Sequence, residues 1–165
     1  MRRNLLIVAF LIFTISQANC QKEKTIRITE PEFSGTAVFV NDTIGSGVLL
    51  EQQTATLEEG ILTLKYEVKV CCSTVFADTT NSQFIVRVSD NSINPYDVLS
   101  IVKTKIENSK RTWNYSKHET IEFKAIKYGT KSYIITIPKF TIGQYAICFK
   151  NSNSVNLFAV KSVKQ

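Results

Sequence analysis

Histidine is almost missing from this chain: 165 residues hold one, His118, in the polar stretch Ser116-Lys117-His118-Glu119. Hydrolytic chemistry draws on a histidine base or on paired acids at a pocket, and a lone histidine in a solvated loop supplies neither. The nucleophile turn Gly-x-Ser-x-Gly is absent as well. Cysteine is scarce and badly spaced for zinc. Cys71, Cys72 and Cys148 with His118 make four ligands, but neighbouring strand residues cannot easily share one tetrahedral ion, and no Cys-x-x-Cys occurs. Gly45-Ser46-Gly47 lacks the lysine and the following helix of a phosphate-cradling loop. The absence of any fixed-period repeat argues against a propeller or solenoid. The sequence therefore assigns no catalytic residue, no metal ligand and no cofactor. Paired carboxylates for glycoside hydrolysis stay open, since such partners lie far apart along a chain. The crowded acids Glu30, Glu32, Glu51, Glu58 and Glu59 read as a solvated edge and turn. A glycan-active enzyme is accordingly the least favoured alternative.

Long apolar runs are lacking too, apart from one at the start. Met1-Arg2-Arg3-Asn4 is a short basic segment, Leu5 to Ile15 is apolar except for Thr14, and Ser16-Gln17-Ala18 follows. This is the layout of a secretory signal peptide, and about eleven apolar residues are too few for a hydrocarbon layer roughly 30 Å thick. We read residues 1–20 as the signal and 21–165 as one domain. Cleavage after Ala18 and after Cys20 both satisfy the small-residue requirement. A lipid tether at Cys20 is a third alternative, although Gln17 and Asn19 differ from the residues such signals prefer. The mature chain holds no further apolar segment of transmembrane length.

What the chain does have is alternation. Lys65, Glu67 and Lys69 interleave with Tyr66, Val68 and Val70; Phe84, Val86 and Val88 oppose Ile85 and Arg87. Period-two patterning of this kind marks half-buried strands. From Thr120 to Val160 four β-rich runs are broken at Tyr128-Gly129-Thr130, Pro138 to Gly143 and Asn151 to Ser154. Altogether the pattern predicts about eight to ten short strands and no amphipathic helix, hence an all-β fold. The expected architecture is a single antiparallel β-sandwich of immunoglobulin-like type. Parity along Ile61 to Cys72 turns Cys72 inward with Val68 and Val70, and Cys71 outward. Pairing of Cys148 with either adjacent cysteine is open in an oxidising compartment; the alternative is a buried thiol acting as a small apolar side chain.

Several segments resemble a family of exported proteins of unknown function from Bacteroidetes-type bacteria. These are Gln83-Phe84-Ile85-Val86-Arg87-Val88, the bend at Asn94-Pro95, the run from Lys127 to Thr136, and Gly143-Gln144-Tyr145-Ala146-Ile147. Phe33-Ser34-Gly35 and Leu50-Glu51 match upstream, so the likeness spans about Pro31 to Val160. It implies an exported location and an all-β fold, and carries no catalytic residue. The chain departs from the family at Gln144, where glutamate is favoured, and at Cys71-Cys72.

The remaining functional signal is charge. Removing Arg2 and Arg3 with the signal lowers the formal charge from +6 to +4, whereas residues 103–131 alone hold eight basic residues against three acids. Trp113, Tyr115, Tyr128 and Tyr133 are interleaved with them. Lys110, Arg111, Trp113, Tyr115, Lys117 and Lys124 are the candidate binding residues: a basic-aromatic face suits an acidic glycan or another polyanion. The competing explanation is the wet side of antiparallel strands, where lysine also guards edges. Nucleic acid is not an expected partner, given the export signal and the lack of a binding motif. The sequence thus points to a non-catalytic interaction module of the bacterial cell envelope, periplasmic, cell-surface or secreted, with an envelope protein or acidic glycan as partner.

Overall fold

The computed structural model describes residues 28–41, 45–59, 64–114, 120–150 and 152–161. The segment read as a signal, with Cys20, the stretch holding Tyr115, Lys117 and His118, and the 61–63 part of the Ile61 to Cys72 run lie outside these residues. The described chain is all-β, with thirteen short strands and one helical turn. In order these are β1 (Ala37–Asn41), β2 (Ser46–Leu49), β3 (Glu51–Thr54), β4 (Thr56–Glu59), β5 (Leu64–Val68), β6 (Phe76–Ala77) and β7 (Thr80–Arg87). Then come α1 (Pro95–Val98), β8 (Leu99–Glu107), β9 (Lys110–Asn114), β10 (Lys124–Tyr128), β11 (Ser132–Lys139), β12 (Gly143–Phe149) and β13 (Ser154–Val160). The helical turn falls at the Asn94-Pro95 bend, where Asn94 accepts from the Tyr96 amide and Pro95 supplies the first helical residue.

The strands form two sheets. One has the order β10-β11-β7-β1-β2; the other has eight strands in the order β3-β13-β12-β8-β9-β5-β4, with β6 beside β13. Pairing is antiparallel except between β6 and β13. Each sheet buries one face in a common core, with Phe39, Phe84, Val86 and Ile135 from the first meeting Ile101, Tyr145, Ile147 and Phe158 from the second. Aromatic rings dominate the contact: Phe84 and Phe158 lie 4.8 Å apart between centroids, and Tyr145 and Phe158 stack at 5.5 Å. Asn156, fully buried, ties the sheets together by donating to the Gly35 carbonyl at 2.8 Å and accepting from the Ala37 amide at 3.1 Å. A buried amide with both ends satisfied fixes register without an unpaired polar group.

The larger sheet also has a second apolar face. β3 and β4 stand at opposite ends of its strand order yet are joined through Ala55 alone. The sheet is therefore curled until nearly closed. Inside the curl, Val68, Val102, Trp113, Ala146, Cys148, Val155 and Leu157 make a separate cluster. Successive residues of β12 serve the two cores in turn: Tyr145 and Ile147 face the other sheet, Ala146 and Cys148 face the curl.

The outer face of the smaller sheet is covered differently. Val40, Ile85 and Ile134 are buried there, with Ile28 and Tyr128 packed on them. Tyr128 donates its hydroxyl to the Ile28 carbonyl. Glu30 then caps the turn between β10 and β11, accepting from the Thr130 amide at 2.6 Å, the Lys131 amide at 3.1 Å and the Ser132 hydroxyl at 2.6 Å. Gly129, at φ +56°, is needed here, because a Cβ would fall 1.7 Å from Glu30 Oε1.

Candidate functional site

Strand β9 carries three of the candidate binding residues and divides them. Its register sets Arg111 opposite Val68 and Trp113 opposite Tyr66, on the face inside the curl. Lys110 and Thr112 project the other way. Arg111 is 0 % exposed and Trp113 3 %. The Arg111 guanidinium donates from Nε to the Cys71 carbonyl at 3.0 Å, from Nη1 to the Tyr145 carbonyl at 3.2 Å and from Nη2 to Gln144 Oε1 at 2.6 Å. Burial pulls its pKa below the ordinary arginine value, opposed by the charge of Glu51. All three acceptors are neutral oxygens, so this arginine clips β9 to β12 and to the chain after β5. Trp113 stacks on Tyr66 at 5.7 Å, and its indole N–H is buried with no acceptor among the described residues.

Lys124 sits exposed on β10, at a margin of the other sheet. Lys110, Arg111, Trp113 and Lys124 are thus not brought onto one face; Tyr115 and Lys117 lie outside the described residues.

The structure gathers other lysines instead. On the outer side of β5, β8 and β9, Lys65 pairs with Asn114, Lys105 with Thr112, and Glu107 with Lys110 across the strands. A hollow of about 150 Å³ opens there, lined by Lys65, Lys103, Lys105, Glu107, Thr112, Asn114 and, from the candidate set, Trp113. Lys65 Nζ meets Glu107 at 2.6 Å, and that hydrogen bond and charge hold the Glu107 carboxyl below its usual range. Lys103 donates to the Thr141 hydroxyl at 2.8 Å and lies 6.0 Å over the Tyr145 ring. At the rim, Lys110 grips both Glu67 oxygens, at 2.8 and 3.0 Å. Three cations against one carboxylate make the lining of the hollow net positive, a setting for a carboxylate, sulfate or phosphate group. Lys103 and Lys105 fall inside the basic segment read from sequence. Lys65 does not, and only pairing between strands distant in sequence joins it to them.

A second depression, about 230 Å³, lies at one end of the sheets. Ser34, Gln52, Ser89, Asp90 and Ser154 line it around Phe149. Gln52 donates to the Ser154 hydroxyl at 2.7 Å, and Asp90 accepts from the Ser92 amide at 2.8 Å and hydroxyl at 2.7 Å. The Ser92 amide and hydroxyl keep the Asp90 carboxyl below its usual range, so it is ionised at neutral pH. Of the crowded acids, Glu30 is committed to the turn it caps and to Arg87 at 3.4 Å.

The parity argument for cysteine needs correcting. Cys72 is exposed and Cys71 partly buried, and neither is bridged. β5 ends at Val68, so strict alternation does not reach position 72. Cys148 is 1 % exposed, packed in the curl as a small apolar side chain. Among the described residues no group of three His, Cys, Asp or Glu is placed to hold a metal, and no helix is long and apolar enough to cross a membrane. No family model matches this chain, and neither a curated protein nor a solved structure does.

Proposed function

We propose that this chain is an exported, non-catalytic β-sandwich of immunoglobulin-like type, an interaction module of the bacterial cell envelope. Its outer β5–β8–β9 face engages an acidic glycan. Export follows from the basic and apolar start of the chain and from the resemblance to exported bacterial proteins. The observation that carries the ligand is the convergence of Lys65, Lys103 and Lys105 on one hollow whose lining includes a single acid, Glu107. A lysine is a point charge that meets an anion without demanding one geometry, which suits a polymer whose acidic groups arrive in varied poses.

Retention of the full chain on a sulfated polysaccharide column tests this. At low salt the protein should be held, with retention falling as ionic strength shortens the reach of the field. Changing Lys65, Lys103 and Lys105 together to Gln should weaken binding about tenfold, whereas Lys124→Gln should have little effect. Equal retention of the triple variant would refute the assignment of the face. Glycan hydrolysis lost on a single carboxylate change would refute the non-catalytic reading.

A further inference from the structure

Two adjacent thiols take no part in the chemistry above. Cys71 and Cys72 follow the end of β5, with Cys72 exposed and Cys71 partly buried. The Cys71 thiol donates to Cys72 Sγ at 2.9 Å, so the two sulfurs already face each other. The peptide between them is also held: the Cys71 carbonyl accepts from Arg111 Nε at 3.0 Å. That same guanidinium reaches the Tyr145 carbonyl and Gln144. One buried cation therefore connects the dithiol to β9 and β12.

We infer that Cys71 and Cys72 form a redox-active dithiol that closes to a vicinal disulfide and, through Arg111, couples thiol state to the packing of the curled sheet. The oxidant is an external disulfide, either small-molecule or carried by a thiol–disulfide oxidoreductase. One cysteine thiolate attacks a sulfur of that disulfide, forming a mixed disulfide and releasing one external thiol. The neighbouring thiolate then displaces the second external thiol and closes the ring. The pair gives up two protons and two electrons, and the external disulfide becomes two thiols.

Geometry makes the bond labile. Adjacent Cα atoms stand about 3.8 Å apart, below the roughly 4.4 Å at which ordinary disulfides begin. The ring is strained, and strained exposed disulfides are the readily reduced ones. Closing it must twist the 71–72 peptide, whose carbonyl Arg111 holds. A buried guanidinium that loses an acceptor is left with an unsatisfied donor, so its neighbours repack. Trp113, on the same face of β9 and stacked on Tyr66, stands next to that change and reports it.

The test equilibrates the full chain in a graded series of reduced and oxidised glutathione, alkylates free thiols, and maps them by mass spectrometry while following Trp113 fluorescence. In oxidising buffer the monomer should lose two hydrogens, with both sites on the 71–72 peptide protected from alkylation. Trp113 emission should shift over the same range of potential. In reducing buffer, phenylarsine oxide should bind once per chain and block both thiols. Cys72→Ser, at an exposed position, should fold normally and abolish the ring, the arsenical capture and the fluorescence shift together. Thiols at 71 and 72 that stay alkylatable throughout, or that bridge to Cys148, Cys20 or another chain, overturn the dithiol. Ring closure without a change at Trp113 overturns the coupling through Arg111.

Discussion

The two sheets meet the same difficulty in different ways. Each has a face that the shared core does not cover. The smaller sheet covers it with a separate segment, Ile28 to Glu30, fastened by polar groups: Tyr128 to the Ile28 carbonyl, and Glu30 to the turn of β10 and β11. The larger sheet covers its own face by curling, until β3 and β4 occupy its two margins. Covering with an arm keeps the charged group near water and fully engaged. Burial by itself would raise the Glu30 carboxyl, but hydrogen bonds from Ser132, Thr130 and Lys131 with the Arg87 charge bring it below the usual value. Curling traps its charged group: Arg111 is wholly buried and leans on neutral oxygens. A pinned arm is thus a polar device, and a curl is an apolar one with a polar occupant.

The largest expected effect separates the shared core from the curl. Leu157 and Phe158 are neighbours on β13, one facing each interior. Phe158→Ala removes a ring that touches Phe84, Phe140 and Tyr145, and should cost about 3–5 kcal/mol. Leu157→Ala should cost about 2–3 kcal/mol, since a curled sheet can tighten around the space. Urea denaturation of both variants measures this, and equal losses would mean that the curl is as unyielding as the inter-sheet core.

A smaller effect sharpens the account of the arm. Gly129→Ala places a side chain in left-handed backbone at about 1–2 kcal/mol and also drives Glu30 out of the turn. Glu30→Gln, which loses the charge but keeps the shape, should cost about 1–3 kcal/mol. Because both act on one contact, the double variant should lose less than the sum of the singles. Additive losses would show that Glu30 and Gly129 act apart.

The smallest effect is a pH dependence. The Glu30 carboxyl titrates below 4.5 in the folded chain. Its contribution is therefore fully present above the unfolded pKa, near 4.5, and disappears as pH falls through the folded value. The thermal midpoint of the native chain should exceed that of Glu30→Gln at neutral pH, with the gap narrowing in acid. A gap independent of pH would remove the carboxylate's charge from the explanation.

Much of the backbone was legible beforehand. Alternation around Phe84, Val86 and Val88 marked β7, and the breaks at Gly129, after Pro138 and at Asn151 to Ser154 separated β10, β11, β12 and β13, although β11 runs on through Pro138 to Lys139. More strands occur than the pattern suggested, because short pieces such as β3 and β4, split at Ala55, carry little periodicity of their own. The charged residues were harder. Arg111 and Trp113 look like surface groups beside Lys110, yet they face inward, since period two says only that neighbours oppose each other. Which side is dry depends on what the sheet folds against. Cys72 was misplaced for a related reason, parity having been carried past the end of β5.

Residue order alone settled where the chain runs extended and where it turns, because side-chain alternation and backbone freedom at glycine and proline act within a few positions. The closing of the larger sheet settled the rest: which face of β9 is dry, that Lys65 joins Lys103 and Lys105, and that Arg111 grips the carbonyl beside two thiols. Those outcomes rest on pairing between strands distant along the chain and on the curl of the larger sheet, which no single stretch of residues encodes.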